Sequence, residues 1–312
     1  MSEKLLITGS KGLIGNALSD ILWENPRRYE VVLISRQQAD LTKQEQVNKI
    51  FEKHRPNYVL NTAASVGGIV GNATHHADYF VNNTLINTFM IDCCHKYDVK
   101  KMLNMSSTCI FPEDCKMFNE SQIHDGPPFE AHYAYAYSKR MIDIQCKAYE
   151  SQHGRTNYSC IIPGNVFGPH DRFNTITGHV IPSLLLKFLI AKKNNLPMEI
   201  WGDGSPKREF IYSYDLANIM LDILDLQTIP RNVLICSDTE LTIKALVEII
   251  VDEIDFKNEI IWNSDKPNGQ MRKKSDTSLL KHLLPNLKFT NFRYAIRKTY
   301  VWLEKHYPNI RI

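Results

Sequence analysis

Tyr135 and Lys139 are the residues whose types and spacing most directly suggest chemistry. They stand four positions apart in a segment with a helical pattern, so both side chains are expected on one face of that helix. A free tyrosine has a pKa of about 10. A neighbouring ammonium group is expected to lower the pKa of the phenol toward the range useful for proton transfer. For the pair alone two interpretations stay open: a catalytic tyrosine and lysine, or two packing residues at a common spacing.

A second group of reactive side chains lies in segment 106–112, directly after a predicted strand at 101–105. Ligands of a parallel sheet bind at the carboxyl ends of its strands. The hydroxyl of Ser107 is therefore expected to hydrogen-bond a substrate carbonyl beside Tyr135. Cys109 and His179, taken singly, are more typical of an inert buried thiol and a surface imidazole. No Cys and His spacing indicates a metal site.

A glycine-rich loop with Gly9, Gly12 and Gly15 lies between the first predicted strand and the first predicted helix. Glycines at this point allow a tight turn and bring backbone amides close to a diphosphate at the helix N-terminus. The spacing GxxGxxG is that of the extended short-chain dehydrogenases. Without this context, the glycines alone are equally typical of an ordinary loop.

The end of the second predicted strand predicts which dinucleotide is bound. An NAD enzyme usually carries Asp or Glu there, which binds the ribose 2′-hydroxyl. Here the strand ends with Ser35 and Arg36, and Arg36 is suited to bind a 2′-phosphate with two hydrogen bonds. Lys11 in the glycine loop is placed to assist. We therefore predict NADP(H) rather than NAD(H), the alternative being that Arg36 is a solvated surface residue.

Hydrophobic patterning predicts the elements that must position these groups. Strands and helices alternate through the first half, which favours a parallel sheet with helices on both faces. After Pro163 the loops lengthen and the alternation is lost. The predicted strands are 5–8, 31–34, 58–61, 101–105, 159–162 and 233–236, and the predicted helices are 13–23, 44–54, 77–97, 135–153, 180–192, 215–226, 242–254 and 294–306.

The predicted fold class is α/β, a Rossmann-like doubly wound parallel sheet with a smaller α/β C-terminal substrate domain. The late strand at 233–236 is expected to rejoin the sheet edge, so the chain crosses between the domains more than once. We predict an NADP-binding domain of residues 1–165 and 213–238, and a second domain of residues 166–212 and 239–312.

Composition excludes several other classes of protein. The 312 residues contain 37 Lys and Arg against 34 Asp and Glu, a balance that argues against a nucleic-acid-binding protein. No stretch approaches the roughly 20 apolar residues that span a bilayer, and the apolar run after the first residues is too short for a signal peptide. The seven cysteines show no disulfide-framework spacing, so we expect reduced thiols and a cytoplasmic protein.

Several longer segments resemble one family, the GDP-L-fucose synthases, which belong to the extended short-chain dehydrogenases/reductases. Segments 106–112, with Ser-Thr-Cys-Ile-Phe-Pro, and 165–171, with Asn-Val-Phe-Gly-Pro-His-Asp, are far more specific than the glycine loop. The resemblance runs nearly from end to end of the chain. The other shared segments are 7–15, 39–42, 63–68, 126–128, 135–143, 178–182, 201–212 and 269–274.

The resemblance implies a bifunctional NADPH-dependent 3,5-epimerase/4-reductase that converts GDP-4-keto-6-deoxy-D-mannose to GDP-L-fucose. Ser107, Tyr135 and Lys139 resemble the family's reductase triad, and Cys109 and His179 its epimerisation acid/base pair, which reverses the interpretation of those two taken singly. The second domain would then bind the nucleotide sugar. The implied cofactor contacts are Gly9, Lys11, Gly12, Leu13, Ile14, Gly15, Arg36, Asp40, Leu41, Ala63, Lys139, Pro163, Asn165, Val166 and His179, and the implied substrate contacts are Lys187, Trp201, Arg208 and Lys273.

The chain departs from the family pattern at two positions. Position 187 is Lys where some members have Arg, and position 268 is Asn where the family has Asp, which puts a substrate contact from Asn268 in doubt. The resemblance also implies a homodimer, in which helices 77–97 and 135–153 form a four-helix bundle. Two other functions stay open: an epimerase/reductase for a UDP- or dTDP-linked 4-keto-6-deoxy sugar, and a non-catalytic NADP-sensing protein.

Overall fold

The computed structural model describes residues 3–68, 71, 74–265, 272 and 274–311. Its central sheet has six parallel strands in the order β2-β1-β3-β4-β5-β9. The predicted doubly wound sheet is confirmed, and the late strand joins its edge beside β5. The strands of this sheet are β1 (Glu3–Thr8), β2 (Tyr29–Ile34), β3 (Tyr58–Asn61), β4 (Lys101–Met105), β5 (Tyr158–Pro163) and β9 (Asn232–Ile235).

Helices cover both faces of the central sheet, because its strands are apolar on both sides. One apolar core joins the sheet to α2, α3 and α4, and a second core on the opposite face joins it to α1, α6 and α8. Strand β5, for example, is buried along its whole length. The helices are α1 (Leu13–Glu24), α2 (Gln44–His54), α3 (His76–Lys96), α4 (Tyr133–His153), α6 (Ser213–Asp225) and α8 (Ser278–Leu283).

A third apolar core lies within residues 167–303 and includes side chains of α5, α7 and α9. Two small sheets accompany it: β10-β8-β6, in which β10 is antiparallel to β8, and the parallel pair β11-β7. The boundaries proposed for two domains stay a prediction. The elements are α5 (Val180–Asn194), α7 (Ile243–Ile254), α9 (Phe292–His306), β6 (Asn165–Phe167), β7 (Met198–Trp201), β8 (Lys207–Tyr212), β10 (Glu240–Thr242) and β11 (Ile260–Asn263).

Local sequence explains where several of these elements begin and end. Thr242 caps α7 by accepting a 3.0 Å hydrogen bond from the amide of Ala245, as its residue type indicates. Gly154 ends α4 in the left-handed conformation, with a φ of 66°. Helix α4 begins at Tyr133, two residues before the predicted start. Among the described residues, no helix combines the length and the apolarity needed to cross a membrane.

Candidate active site

Several of the predicted cofactor and catalytic residues lie at the carboxyl edge of the central sheet. The chain reverses direction of winding between β1 and β3, which are neighbours in the sheet. Such a switch point opens a crevice where ligands of doubly wound sheets bind. Gly9 follows β1, Ala63 follows β3, Ser107 follows β4, and Pro163 ends β5. The fold therefore brings together segments that are far apart in the sequence.

The glycine loop is shaped by close backbone contacts. Gly9 has a φ of 69°, and a Cβ there would lie 2.8 Å from the amide nitrogen of Ala63. A Cβ on Gly15 would lie 2.3 Å from the carbonyl oxygen of Gly9, so helix α1 packs directly on the loop. Gly12 is the N-cap of α1 and brings no side chain to cap it. The first-turn amides, including those of Leu13 and Ile14, are thus suited to an anion.

Arg36 lies exposed in the turn after β2, as the sequence predicts. The nearby carboxylate of Asp40 accepts hydrogen bonds from the amide and the hydroxyl of Thr42, at 3.0 and 2.7 Å. These bonds hold the pKa of Asp40 below its usual range, with a smaller contribution from Arg36. Within the described chain, the Arg36 guanidinium has neither a hydrogen bond nor an ion pair. Leu41 is buried beside this turn.

Ser107, Cys109 and Tyr135 lie together at the end of β4. Ser107 caps the 3-10 helix Thr108–Ile110, and its Oγ accepts a 3.3 Å hydrogen bond from the amide of Cys109. The hydroxyl of Ser107 lies close enough to the phenol of Tyr135 to influence its pKa, and Cys109 is within electrostatic reach of the same phenol. The structure therefore brings a predicted reductase hydroxyl and a predicted epimerase thiol to the same tyrosine.

Lys139 lies one helical turn after Tyr135 and is only 1% exposed. Its Nζ donates a 2.8 Å hydrogen bond to the carbonyl oxygen of Met105. Burial lowers the pKa of this ammonium group to about 8. Tyr135 is only 8% exposed, and burial is the largest cause of its raised pKa. The expected lowering of the tyrosine pKa is therefore wrong for this structure, since desolvation outweighs any effect of Lys139.

His179 lies on a different element from the other predicted catalytic residues. It is the N-cap of α5, and it is exposed. Desolvation lowers the pKa of the imidazole, and Arg172 and Arg311 lower it further. The loop before it is held by segment 63–68, because the amide of Gly68 donates a 2.8 Å hydrogen bond to the carbonyl oxygen of Thr177. The imidazole is thus neutral and able to accept a proton at neutral pH.

Three further predicted cofactor residues lie where the central sheet meets β6. Pro163 is buried at the end of β5, Asn165 is exposed, and Val166 is partly buried against the second core. The Asn165 amide donates a 2.8 Å hydrogen bond to the carbonyl oxygen of Glu209. Their contact with a dinucleotide stays a prediction.

The described members of the predicted substrate set lie outside the central sheet, on α5, β7 and β8. The Nζ of Lys187 lies 4.6 Å from the ring centroid of Trp201, which is 49% exposed. Burial lowers the pKa of Lys187 and of Arg208. Arg208 donates to the carbonyl oxygen of Lys207 at 2.7 Å and has no acidic partner in the described ranges. Lys273 and Asn268 lie outside the described residues, so their predicted contacts stay predictions.

Sequence reasoning missed three residues near this edge. Tyr79 of α3 is within electrostatic reach of Tyr135, and its Oη lies 2.3 Å from where a Cβ on Gly67 would be. Arg172 and Arg311 both act on the pKa of His179. Arg172 directly follows the shared segment 165–171, which is a weak signal. Nothing in the sequence pattern relates Tyr79 or Arg311 to the glycine loop.

A cavity between α6 and residues 283–288 lies apart from these groups. Asp215, Asn218 and Asp222 line it, and none of the predicted site residues does. A smaller cavity is lined in part by Cys109, Phe111 and His132, and so adjoins the end of β4. We therefore locate the candidate active site by the side chains at the carboxyl edge of the sheet and not by the size of the cavities.

Comparison with known proteins identifies the family of this chain. Residues 5–236 match the NAD dependent epimerase/dehydratase family. The chain is 35% identical to a GDP-L-fucose synthase of Dictyostelium discoideum over 98% of its length and 97% of the relative, and 31% identical to one of Escherichia coli over 99% of each. The structure of a GDP-L-fucose synthetase from Naegleria fowleri bound to NADP is similar, with a TM-score of 0.93 and 30% identity over 100% of this chain and 97% of that one. The chain therefore belongs to the NAD dependent epimerase/dehydratase family and, within it, to the GDP-L-fucose synthases.

Proposed function

We propose that this protein converts GDP-4-keto-6-deoxy-D-mannose to GDP-L-fucose, by epimerisation at C3 and C5 followed by NADPH-dependent reduction at C4. The observation that carries the proposal is the meeting of Ser107, Cys109 and Tyr135 at the end of β4. A sugar whose 4-keto oxygen contacts the two hydroxyl groups would also present its ring to the thiol. One site would then serve both reactions.

Epimerisation requires removal of a carbon-bound proton next to the ketone. The 4-keto group acidifies the protons at C3 and C5, and the electron pair moves onto O4 to give an enolate. Ser107 and Tyr135 would stabilise that oxygen with hydrogen bonds. Cys109 and His179 would remove a proton from one face of the ring and return a proton to the other. The lowered pKa of His179 supports a neutral imidazole for this role.

Reduction requires a proton for O4, and Tyr135 is suited to donate it. The raised pKa of Tyr135 keeps the phenol protonated at neutral pH, and the hydroxyl of Ser107 lies close to it. When bound, NADPH supplies the hydride that C4 accepts. Lys139 is placed one turn away to hold the cofactor ribose and to stabilise the phenolate that remains after proton transfer.

The residues at the glycine loop fit NADP(H). The uncapped N-terminus of α1 offers amides to a diphosphate, and a Cβ at Gly9 or Gly15 would collide with backbone. Arg36, exposed and without an ion pair among the described residues, suits a 2′-phosphate. Lys187, Trp201 and Arg208 would bind the guanosine diphosphate, so that binding energy from the nucleotide positions the sugar.

An assay of NADPH oxidation, monitored as the loss of NADPH absorbance, tests this function. We expect turnover with GDP-4-keto-6-deoxy-D-mannose and at most weak turnover with the UDP- and dTDP-linked analogues, and GDP-L-fucose as the product by NMR. Faster turnover with a UDP- or dTDP-linked sugar would contradict the assigned substrate. Binding of NADPH without turnover of any of these sugars would instead favour a sensing protein.

The two half-reactions can be separated with solvent deuterium. Cys109→Ser is expected to abolish deuterium incorporation at C3 and C5, because serine is a far weaker acid than cysteine. Cys115→Ser is the matched control, since Cys115 follows in the same loop region and is equally half-buried. Full incorporation with Cys109→Ser would contradict the assigned role of this thiol.

We infer a cytoplasmic homodimer as the working form. Helices α3 and α4 pack on each other and also expose apolar side chains, of which Phe80, Val81, Met141 and Ile144 are 40–50% exposed. A second copy that covers this face would form the expected four-helix bundle. None of the seven cysteines is in a disulfide, which is consistent with a reducing compartment. Light scattering of Met141→Glu and of the wild type tests the interface: only the variant should be monomeric.

A further inference from the structure

Arg311 lies beside the glycine loop, although nearly the whole chain separates the two in sequence. A Cβ built on Gly12 would lie 4.0 Å from Nη1 of Arg311. The backbone of Arg311 is fixed there, because its carbonyl oxygen accepts a 2.9 Å hydrogen bond from the amide of Phe173. The guanidinium group therefore lies next to the residue that caps the N-terminus of α1.

The charge of Arg311 has no partner that neutralises it. Within the described residues its guanidinium forms no hydrogen bond and no ion pair. The titratable groups around it are Asp171, Arg172 and His179, and two of these are basic. Nε of Arg172 is buried and also has no hydrogen-bond partner. Two guanidinium groups thus lie within electrostatic reach of each other, and that of Arg311 lies beside a helix N-terminus.

Asp171 does not supply the missing negative charge. It is only 4% exposed, its Oδ1 accepts the backbone amide of Arg172 at 2.7 Å, and its Oδ2 has no partner. Burial raises the pKa of this carboxyl to about 7, so it is largely uncharged in mildly acidic solution and only partly charged at neutral pH. Arg311 is exposed and solvated, and an anion from outside the protein would complement the local positive charge.

We propose that Arg311 binds the diphosphate of the dinucleotide, on the side opposite the amides of α1. The inference rests on the proposed function, since it assumes that a dinucleotide binds at the glycine loop. The diphosphate is the anionic group that must lie at Gly12 and the first turn of α1, and Arg311 is the guanidinium adjacent to that point. A segment remote in sequence thereby completes the cofactor site.

Arg36 gives a direct contrast for the test. Arg36 is assigned to the 2′-phosphate, which NADPH has and NADH lacks, whereas both dinucleotides carry the diphosphate. Replacing Arg311 should therefore weaken both dinucleotides by the same factor. Replacing Arg36 should weaken NADPH and leave NADH unchanged. The ratio of the two dissociation constants distinguishes the two phosphate groups without any measurement of turnover.

The experiment is a calorimetric titration of ligand-free protein with NADPH and, separately, with NADH. Arg311→Gln is expected to raise both dissociation constants by about tenfold to a hundredfold, with their ratio unchanged. Arg311→Lys, which keeps the charge but loses the two-pronged geometry, should lie between. Arg293→Gln is the matched control, because Arg293 also lies late in the chain but pairs with Asp252 on α7. The control should bind like the wild type.

Two results would overturn the proposal: unchanged binding of both dinucleotides by Arg311→Gln, or weakened binding of NADPH alone, which would assign Arg311 to the 2′-phosphate. Thermal unfolding without ligand verifies that each variant is folded. If Arg311→Gln is unfolded, Arg311→Lys decides by the same ratio. A wild-type protein that binds neither dinucleotide would overturn the proposed function itself, which separates the two failures.

Discussion

The amino and carboxyl edges of the central sheet differ in whether their charged side chains are ion-paired. At the amino edge, Glu3 pairs with Lys100 at 2.6 Å, and Arg27 lies between Asp222 and Asp225 at 2.7 Å from each. At the carboxyl edge, Lys139 is bonded only to a carbonyl oxygen, and neither Arg172 nor Arg311 has an ion-pair partner in the described part of the chain. The charged groups named at the amino edge are ion-paired, whereas the cations named at the carboxyl edge are not.

This difference separates what stabilises the fold from what prepares the site. Partly exposed surface ion pairs such as those of Arg27 each contribute about 0–1 kcal/mol, so the amino edge gains little from its pairing. A buried ionisable group without an ion-pair partner, as Lys139 is at the carboxyl edge, costs several times more. The carboxyl edge therefore lowers the stability of the fold, and it is the edge where the anionic groups of the proposed ligands would pair with these cations. The contrast can be tested by changing one residue at a time on either edge.

The largest effect is expected for Tyr135→Phe. Loss of the phenolic proton donor should lower the rate of reduction by about 10³-fold, while deuterium incorporation at C3 and C5 stays measurable. Tyr137→Phe is the matched control, because this tyrosine is on the same helix but 39% exposed. Stopped-flow measurement of NADPH oxidation, with NMR of the recovered sugar, gives both readouts. Reduction at the wild-type rate by Tyr135→Phe would remove this tyrosine from the site.

Asp171→Asn should change how stability depends on pH. The folded-state pKa of about 7 lies above the ordinary value of 3.8, so the folded protein binds the proton more tightly. The stability linked to this proton is fully present below about pH 4 and is lost as the pH rises to about 7, a change of up to about 4 kcal/mol. The variant should lack this decline. Urea unfolding between pH 5 and 8 measures it, and parallel curves for the two proteins would contradict the prediction.

Lys139→Met tests the same contrast with the opposite sign. The folded-state pKa of about 8 lies below the ordinary value of 10.5, so the unfolded chain binds more protons between these values. Wild-type stability should rise by up to about 3 kcal/mol from pH 8 to pH 10.5. The variant should lose both this rise and the reductase activity. Lys147→Met, on the exposed face of α4, should keep both.

The smallest effect is expected at the amino edge. Arg27→Gln removes two ion pairs, yet it should lower the free energy of unfolding by only about 1 kcal/mol, and by less in high salt. Reductase activity should not change. Denaturant unfolding at low and high ionic strength, together with steady-state kinetics, checks both statements. A loss of several kcal/mol would mean that the amino edge is as decisive for stability as the carboxyl edge.

Much of the cofactor side could be predicted from the sequence, because its signals are local. The glycine spacing, Arg36 at the end of β2 and the four-residue spacing of Tyr135 and Lys139 each lie within one turn or one helix. Strand β4 spans Lys101–Met105, the range that the sequence predicts. Cys109 and His179 needed the family resemblance, since neither has a partner nearby in sequence.

What could not be predicted depends on packing between distant segments. The raised pKa of Tyr135 follows from burial, which no spacing reveals. Arg311 reaches Gly12 only because a backbone hydrogen bond fixes it to Phe173. Strands β6, β7, β10 and β11 lie beyond Pro163, where the alternation of strands and helices that marks the central sheet is lost.

The seven thiols differ in burial, so their reactivity toward an alkylating reagent can report whether the active site is occupied. Five of the seven cysteines are buried, and only Cys109 and Cys115 are partly accessible. A mild alkylating reagent should therefore add two labels to the native protein and seven to the unfolded chain, counted by intact mass. A sugar ligand seated against Cys109 would protect one of the two native labels and leave Cys115 reactive. The mass of the labelled protein would thus count occupied active sites directly, with no coupled assay.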